Sequence, residues 1–449
     1  MKKYIILILV GMLFLPSCSL YKKYDSNATV DERIMGDVVD SQDTTSIGDI
    51  DWRDIFTDPL LQNLIDAAFE NNTDMRTTKL SIEQVQNSLK AAKWGYAPTF
   101  AFTPQATITN LAGYTSNSVL IPVTASWQLN IFGQTRSQIR RSKSQVAYYQ
   151  DYRQAMKVSL AANVAGIYYK LVMLDHELEL AEYFEGLYQE SYNSTEALYN
   201  AGIYKSPAVH QMEASLEEIR TEIIDLRNTI VATEASLCLL LAEPPHHIER
   251  AKFGEFQMPE QIHIGLPARL LDARPDVRMA ERNMEIAYYS TQQARQHFYP
   301  NITISGMVGY TGTFDALDLI GQAVGQLTQP IFQGGQLRAQ VRNAKKEQEK
   351  AELEFVQALY KAGNEVYQYI NVCQTAEEKA KHIEIRVNAL QEAYSATTEL
   401  MNNGSTTYLE VLTAQESLLS AEFIMVQNRY EMIQALINLY SALGGFGTK

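Results

Sequence analysis

The chain has 449 residues, 46% of them hydrophobic and 20% charged, which excludes both a disordered polymer and a single ordinary globular core. Its 38 Lys and Arg stand against 52 Asp and Glu, a net charge of −14, which argues against nucleic acid as a partner. Three cysteines, Cys18, Cys238 and Cys373, are too few for a disulfide framework, and none lies in a CxxC or Cys/His metal pattern.

Lys2 and Lys3 precede an uncharged apolar stretch from Tyr4 to Leu15 and then Leu15-Pro16-Ser17-Cys18. Residues 1–17 read as an export signal, and their removal takes away Lys2 and Lys3, leaving −16. The apolar run is shorter than the roughly 20 residues of a spanning helix. Its ending resembles a lipobox, in which the Cys18 thiol is joined to diacylglycerol and the new amino terminus is acylated. Residues 18–50 then form a lipidated segment, tethered at about 0.8 kcal/mol per buried methylene. Neither Ser19 nor Leu20 is Asp, so nothing marks retention at an inner membrane.

A constant offset of 202 relates two halves of the chain. Glu83 and Ser88 match Glu285 and Ser290, Pro98 matches Pro300, and Arg136, Gln138 and Arg140 match Arg338, Gln340 and Arg342. Asn200-Ala201-Gly202 matches Asn402-Asn403-Gly404, and Ser215-Leu216 matches Ser417-Leu418, with slippage near Phe132-Gly133 against Phe332-Gln333-Gly334. The repeats are assigned to residues 51–242 and 267–443, with 243–266 as a crossing linker containing Pro244, Pro245 and Pro259, and 444–449 as a tail.

Each repeat reads as a helix, two strands, a very long helix, a turn and a second long helix. The predicted strands cover residues 99–110, 118–131, 301–311 and 320–331. Residues 94–135 contain no Asp, Glu, Lys or Arg. Within them Phe100, Phe102, Ala106 and Ile108 alternate with Thr, Gln and Asn, as do Val119, Ile121, Val123, Ala125, Trp127, Leu129 and Ile131. A soluble sandwich with one wet face is the competing reading, but such a face ordinarily carries Lys and Glu. Apolar outside with uncharged polar inside suits a transmembrane β-barrel. Four strands cannot close a barrel, so copies must pool them; a dimer is the minimum and a trimer gives twelve.

No proline occurs between Pro122 and Pro207 or after Pro330, which permits very long helices. Val164, Ile167, Leu171, Leu174, Leu178 and Ala181 step by three and four like a coiled-coil seam. A helix over residues 136–200 would extend roughly 97 Å at 1.5 Å per residue. Hairpin tips are expected at 201–206 and 403–406, where Gly202 and Gly404 suit helix stops, and Ser206-Pro207 and Ser405-Thr406 suit the return.

Several further segments carry a resemblance: Asp51-Trp52 with Asp58-Pro59-Leu60, Gly265-Leu266-Pro267, Arg274-Pro275-Asp276-Val277-Arg278, Pro330-Ile331-Phe332-Gln333-Gly334-Gly335, Ala414-Gln415-Glu416-Ser417-Leu418 and Leu439-Tyr440-Ser441-Ala442-Leu443-Gly444-Gly445. In this order they resemble the TolC-like outer membrane efflux factors, in the lipoprotein branch serving resistance-nodulation-division pumps. The resemblance implies an α+β membrane protein: a homotrimer with a twelve-stranded outer membrane β-barrel, a periplasmic α-helical barrel and a mixed equatorial domain. It implies a passive channel for small molecules such as drugs, without cofactor beyond the lipid on Cys18. Its implied partners are a periplasmic adaptor, an inner membrane transporter and outer membrane lipid. The outer component of a type I secretion system is the alternative.

In that family the periplasmic mouth is closed by an Asp ring and an apolar ring, which map near Thr413 and Leu409. Thr413 stands where Leu-Asp-Ala-Gln would place Asp, so Glu410 and Glu416 become candidates for a displaced acidic ring. Gly202, Lys205, Ser206, Gly404 and Ser405 at the tips are candidate adaptor contacts. No HExxH, GxSxG or phosphate-binding GxxxxGK pattern appears, and enzyme activity is not expected. A specific uptake porin and a non-conducting structural rod fit less well, because the chain combines charge-free strands with long helices.

Overall fold

A computed structural model describes residues 24, 50–111, 114–255, 274–313 and 315–445. The export signal, Cys18, nearly all of the lipidated segment, residues 256–266 of the linker and residues 446–449 of the tail lie outside them. Eight helices and five strands are described. They are α1 Trp52–Ile55, α2 Pro59–Asn71, α3 Thr73–Trp94, β1 Thr99–Phe102, β2 Gln105–Leu111, β3 Tyr114–Leu129, α4 Gln134–Asn200, α5 Ser206–Leu241, α6 Pro275–Gln296, β4 Asn301–Thr313, β5 Ala316–Thr328, α7 Gln336–Asn402 and α8 Tyr408–Ala442.

Contacts divide the described residues into two compact units: one lies within residues 81–150 and 279–356, the other within 50–80, 151–255, 274–278 and 357–445. Each unit draws on both halves of the chain.

In the first unit the sheet runs β1-β3-β4-β5, all antiparallel, with β2 also on β3. The strand expected over 99–110 is two pieces. Both keep one register on β3, from Phe102 opposite Val123 to Gln105 opposite Leu120. The break at Thr103-Pro104 faces Pro122, whose carbonyl still accepts from the Thr103 N–H at 3.4 Å; Pro122 has no N–H to return the bond, and Pro104 none for its own other side. Hence β1 and β2 are one path, and each chain has four. The other strands run 114–129, 301–313 and 316–328. β5 thus begins ahead of the strand expected over 320–331 and includes Asp318, opposite Thr311, a charge at the hairpin end.

The alternating apolar face has no cover. Phe100, Phe102, Ile108, Val123, Val308, Tyr310, Leu319 and Leu327 are all half or more exposed. A soluble sandwich would bury such a row in its core, whereas lipid is its natural surrounding. Among the described residues no helix is long and apolar enough to cross a membrane.

In the second unit α5 buries Met212, Leu216, Ile219, Ile223, Leu226, Ile230 and Leu237, a three–four alternation that fixes one helix face. On α4, Val164, Leu171, Leu174 and Ala181 are buried, with Ile167 and Leu178 packed against them. Cross-links join α5 to α4, α4 to α8 and α8 to α7. Arg220 Nε donates to Glu185 at 2.9 Å, Gln415 Nε2 to Ser191 Oγ at 3.1 Å, and Asn428 Nδ2 to the Ala376 carbonyl at 3.1 Å. α4 and α7 have 67 residues each, roughly 100 Å at 1.5 Å per residue.

Candidate functional site at the hairpin tips

The two tips are built alike. Gly202 has φ +74° and Gly404 φ +69°, left-handed values that glycine adopts without steric cost. In the first tip the N–H of Gly202 reaches the Tyr199 carbonyl at 2.9 Å and that of Ile203 reaches Leu198 at 2.9 Å. In the second, Gly404 reaches Met401 at 2.9 Å and Ser405 reaches Leu400 at 2.8 Å. Both are Schellman stops, which satisfy carbonyls a helix end leaves open.

The returning helices begin differently from expectation. The cap of α5 is Lys205, not Ser206, and the cap of α8 is Thr407; neither side chain bonds the helix. Ser206 and Pro207 occupy the first turn, where the lack of a proline N–H costs nothing. At the second tip the Thr406 hydroxyl donates to the Glu410 carboxylate, and Glu410 also lies in the first turn of α8, where helix dipoles favour an anion.

Tyr204 and Tyr408, which the sequence did not single out, bring the tips together. Their rings meet edge-on with centroids 5.6 Å apart. Gln415 is also more than a motif residue. It is fully buried, and its amide reaches Ser191 on α4 and Tyr394 on α7, the latter at 3.4 Å. The only advance sign was an amide among apolar neighbours.

Leu409 is about half exposed. The Thr413 hydroxyl donates to the Leu409 carbonyl at 2.8 Å, so its donor serves its own helix. Glu410 and Glu416 are six residues apart, which rotates them about 240° around the axis, and the structure does not bring them together. Glu416 instead lines a cavity of about 600 Å³ between α5 and α8 with Tyr188, Glu218 and Glu222. Burial, followed by the charges of Glu416 and Glu218, pushes the Tyr188 phenol well above its ordinary range.

Two ion clusters brace the helices. Arg250 donates to Asp175 at 2.5 and 2.7 Å and to Glu234 at 2.6 Å, and His247 Nδ1 lies 2.8 Å from Glu234. His247, next to His246 in the segment after α5, is thereby joined to an ion cluster. Arg274 holds Asp276 with two bonds, at 2.7 and 3.0 Å, and reaches Glu365 at 2.6 Å and the Ala442 carbonyl at 3.1 Å. Cys238 is fully buried and Cys373 partly so.

Comparison with known proteins places this geometry. The probable efflux pump outer membrane protein TtgC of Pseudomonas putida is 26% identical over 88% of this chain and 84% of its own. The probable outer membrane lipoprotein SilC of Salmonella typhimurium is 24% identical over 89% of each. Among solved structures, the outer-membrane channel OprN superposes with a TM-score of 0.83 at 22% identity, covering 95% of this chain and 98% of that one. The open state of the Neisseria gonorrhoeae MtrE channel gives 0.81 at 24%, covering 95% and 97%. The fold is that of the TolC-like outer membrane channels, and the protein belongs in the bacterial outer membrane. The model of the outer membrane efflux protein family matches residues 64–243 and 266–445, and the chain belongs to that family of transport proteins.

Proposed function

We propose that the chain is the passive outer membrane channel of a tripartite pump, a homotrimer that carries small molecules such as drugs from a periplasmic adaptor and an inner membrane transporter to the exterior. The observation that carries this reading is the sheet: four strand paths, a bare apolar face and two open edges in a chain of the efflux family. Open edges are not tolerated in lipid, so three copies closing a twelve-stranded cylinder resolve both features.

The helices support the same assembly. α5 and α7 each bare apolar residues: Ile224 and Val231 on α5, and Leu353, Val356, Tyr360 and Tyr367 on α7. Neighbouring copies would cover them. Residues 51–242 and 267–443 are the two repeats and 243–266 the crossing linker, a division that the two matched segments support. In this reading Leu409 forms the apolar constriction, and Gly202, Lys205, Ser206, Gly404 and Ser405 face the adaptor. Glu410 and Glu416 have separate duties, the first at a helix start and the second in the groove.

Cys18 is the lipid anchor. Tyr24 packs edge-on against Tyr288 at 5.7 Å, and the six residue steps from Cys18 to Tyr24 span at most about 20 Å. The acyl chains would therefore enter the bilayer beside the strands. No catalytic step belongs to the chain. Relatives are named for antibiotic, toluene and cation efflux, which fits a duct whose cargo is chosen by the transporter. Those names favour efflux over type I protein secretion.

The test is deletion and complementation in the parent bacterium. Loss of the chain is expected to raise intracellular accumulation of a fluorescent pump substrate while leaving the secreted protein profile intact. A changed secretome with normal accumulation would reverse the choice.

A further inference from the structure

The pairing of the strands states how two copies join. Within the first hairpin Thr99 pairs with Ser126, and within the second Asn301 pairs with Thr328; both members move by the 202 residues that relate the repeats. Contacts at the strand ends follow the same rule. Trp127 Nε1 donates to the Tyr96 carbonyl at 2.9 Å, and Gln329 Nε2 donates to the Phe298 carbonyl at 3.0 Å. The two hairpins are thus equivalent in register as well as in sequence.

One junction between hairpins is made inside the chain, where β3 lies on β4 with Pro122 opposite Gly309 and Val123 opposite Val308. The equivalent junction joins β5 to the open β1–β2 edge of another copy. We propose that this interface between copies repeats the β3–β4 register, which sets Val324 of one copy opposite Thr107 of the next and Gly325 opposite Ala106. The inference rests on the pooled-barrel reading above and adds the register to it.

Three independent features agree. Parity is preserved: Leu319, Leu327, Phe102 and Ile108, all exposed apolar residues, stay on one face, as period two requires. A slip of one residue would send one apolar row into the lumen, so only slips by two compete. Second, Pro104 lies on the joining edge, where its missing donor blunts the free strand against promiscuous pairing. Third, after β3 Phe132 is stacked on Tyr299 at 5.3 Å within the chain and Ile131 is 56% exposed, whereas in the corresponding loop after β5 Ile331 is 97% and Phe332 85% exposed. The entry to β1 also bares Trp94, at 75%, and Tyr96. A second copy would bring these two bare clusters to the same end of the junction.

Disulfide trapping tests the register in the full-length lipoprotein, in outer membranes, after Cys238→Ala and Cys373→Ala. A disulfide needs Cα atoms about 4.4–6.8 Å apart, which directly opposed strand residues meet and diagonal ones, at roughly 7–8 Å, do not. The pair Val324→Cys with Thr107→Cys is expected to give a covalent ladder of multimers at least tenfold faster than Val324→Cys with Gln105→Cys or with Thr109→Cys. Preferential trapping at Gln105→Cys or Thr109→Cys would overturn the register while leaving the pooled barrel intact. If all three pairs fail while amine crosslinking still yields multimers, the β5-to-β1 junction is wrong. Monomers under both chemistries would remove the pooled barrel itself.

Discussion

The ring of Tyr204 stands edge-on to the ring of Tyr408, 63° between their planes, and through this pair the end of one helical hairpin touches the end of the other. Such pairs contribute about 0.5–1.5 kcal/mol beyond area burial. If closed tips define the closed duct, Tyr204→Ala is expected to raise the open population by roughly two- to twelvefold, the same energy expressed as an equilibrium. Planar-bilayer recordings of Tyr204→Ala, Tyr408→Ala and the double variant check this. Additive effects would show that the rings act separately.

Leu409→Ala should raise single-channel conductance, because it removes side-chain volume from the proposed constriction. Thr413→Val, which loses only the bond to the Leu409 carbonyl, should leave conductance near that of the parent. An unchanged Leu409→Ala channel would place the constriction elsewhere.

Lipid and lumen faces are separable by charge. Val123→Arg, on the bare apolar face, is expected to cost about 2–4 kcal/mol and to lower the yield of assembled multimer. Thr124→Arg, one residue along and on the opposite face, should assemble normally and shift ion selectivity toward anions. Reversal-potential measurements together with the heat-resistant multimer band distinguish them.

The Arg274 cluster gives a signed dependence on acid. Burial opposes the charge of Asp276, but the bonds and charge of Arg274 outweigh it and hold the carboxyl below its ordinary value. Glu234 is likewise lowered against its own burial, through Arg250, the Ile248 N–H and His247. A depressed folded value means stability present above about pH 4 and lost as pH falls through the folded pKa. Melting temperature should therefore drop on acidification below about pH 4. Arg274→Ala, which leaves Asp276 and Glu365 facing each other without their cation, should cost about 3–5 kcal/mol at neutral pH. A neutral-pH melt equal to the parent would refute the assignment.

Glu177 has the opposite sign. It is buried, and one carboxylate oxygen has no hydrogen-bond partner. Burial raises its pKa, the charge of Glu222 adds to this, and Gln427 and His176 only partly offset it. A raised carboxyl favours the fold below its unfolded value and opposes it as pH rises through the folded one. Glu177→Gln is expected to stabilise the protein at pH 7.5 by roughly 1 kcal/mol, with the gain vanishing near pH 4. A loss at pH 7.5 would contradict this.

The strands were legible because alternation, absence of charge and the 202-residue offset are all properties of the linear sequence. The break at Thr103-Pro104 was not, since it depends on Pro122 lying across the ladder, and only the register shows that. The hairpin stops could be read from glycine alone, whereas the caps could not: Ser206 has the right chemistry, yet the turn places Lys205 there. Gln415, Tyr204 and Tyr408 stayed hidden for a similar reason. Their roles arise between helices, and sequence periodicity reports which face a residue occupies without saying what it meets.

The hydroxyl of Tyr440 donates to the Ile50 carbonyl at 2.5 Å, and its ring meets Phe56 edge-on at 6.1 Å. This ties Ile50, just ahead of α1, to a residue 390 positions later in the chain. A chain made from its amino terminus cannot close this contact until the last helix has emerged, and losing even one terminal turn of α8 would leave the amino-terminal end of the described chain without its clasp.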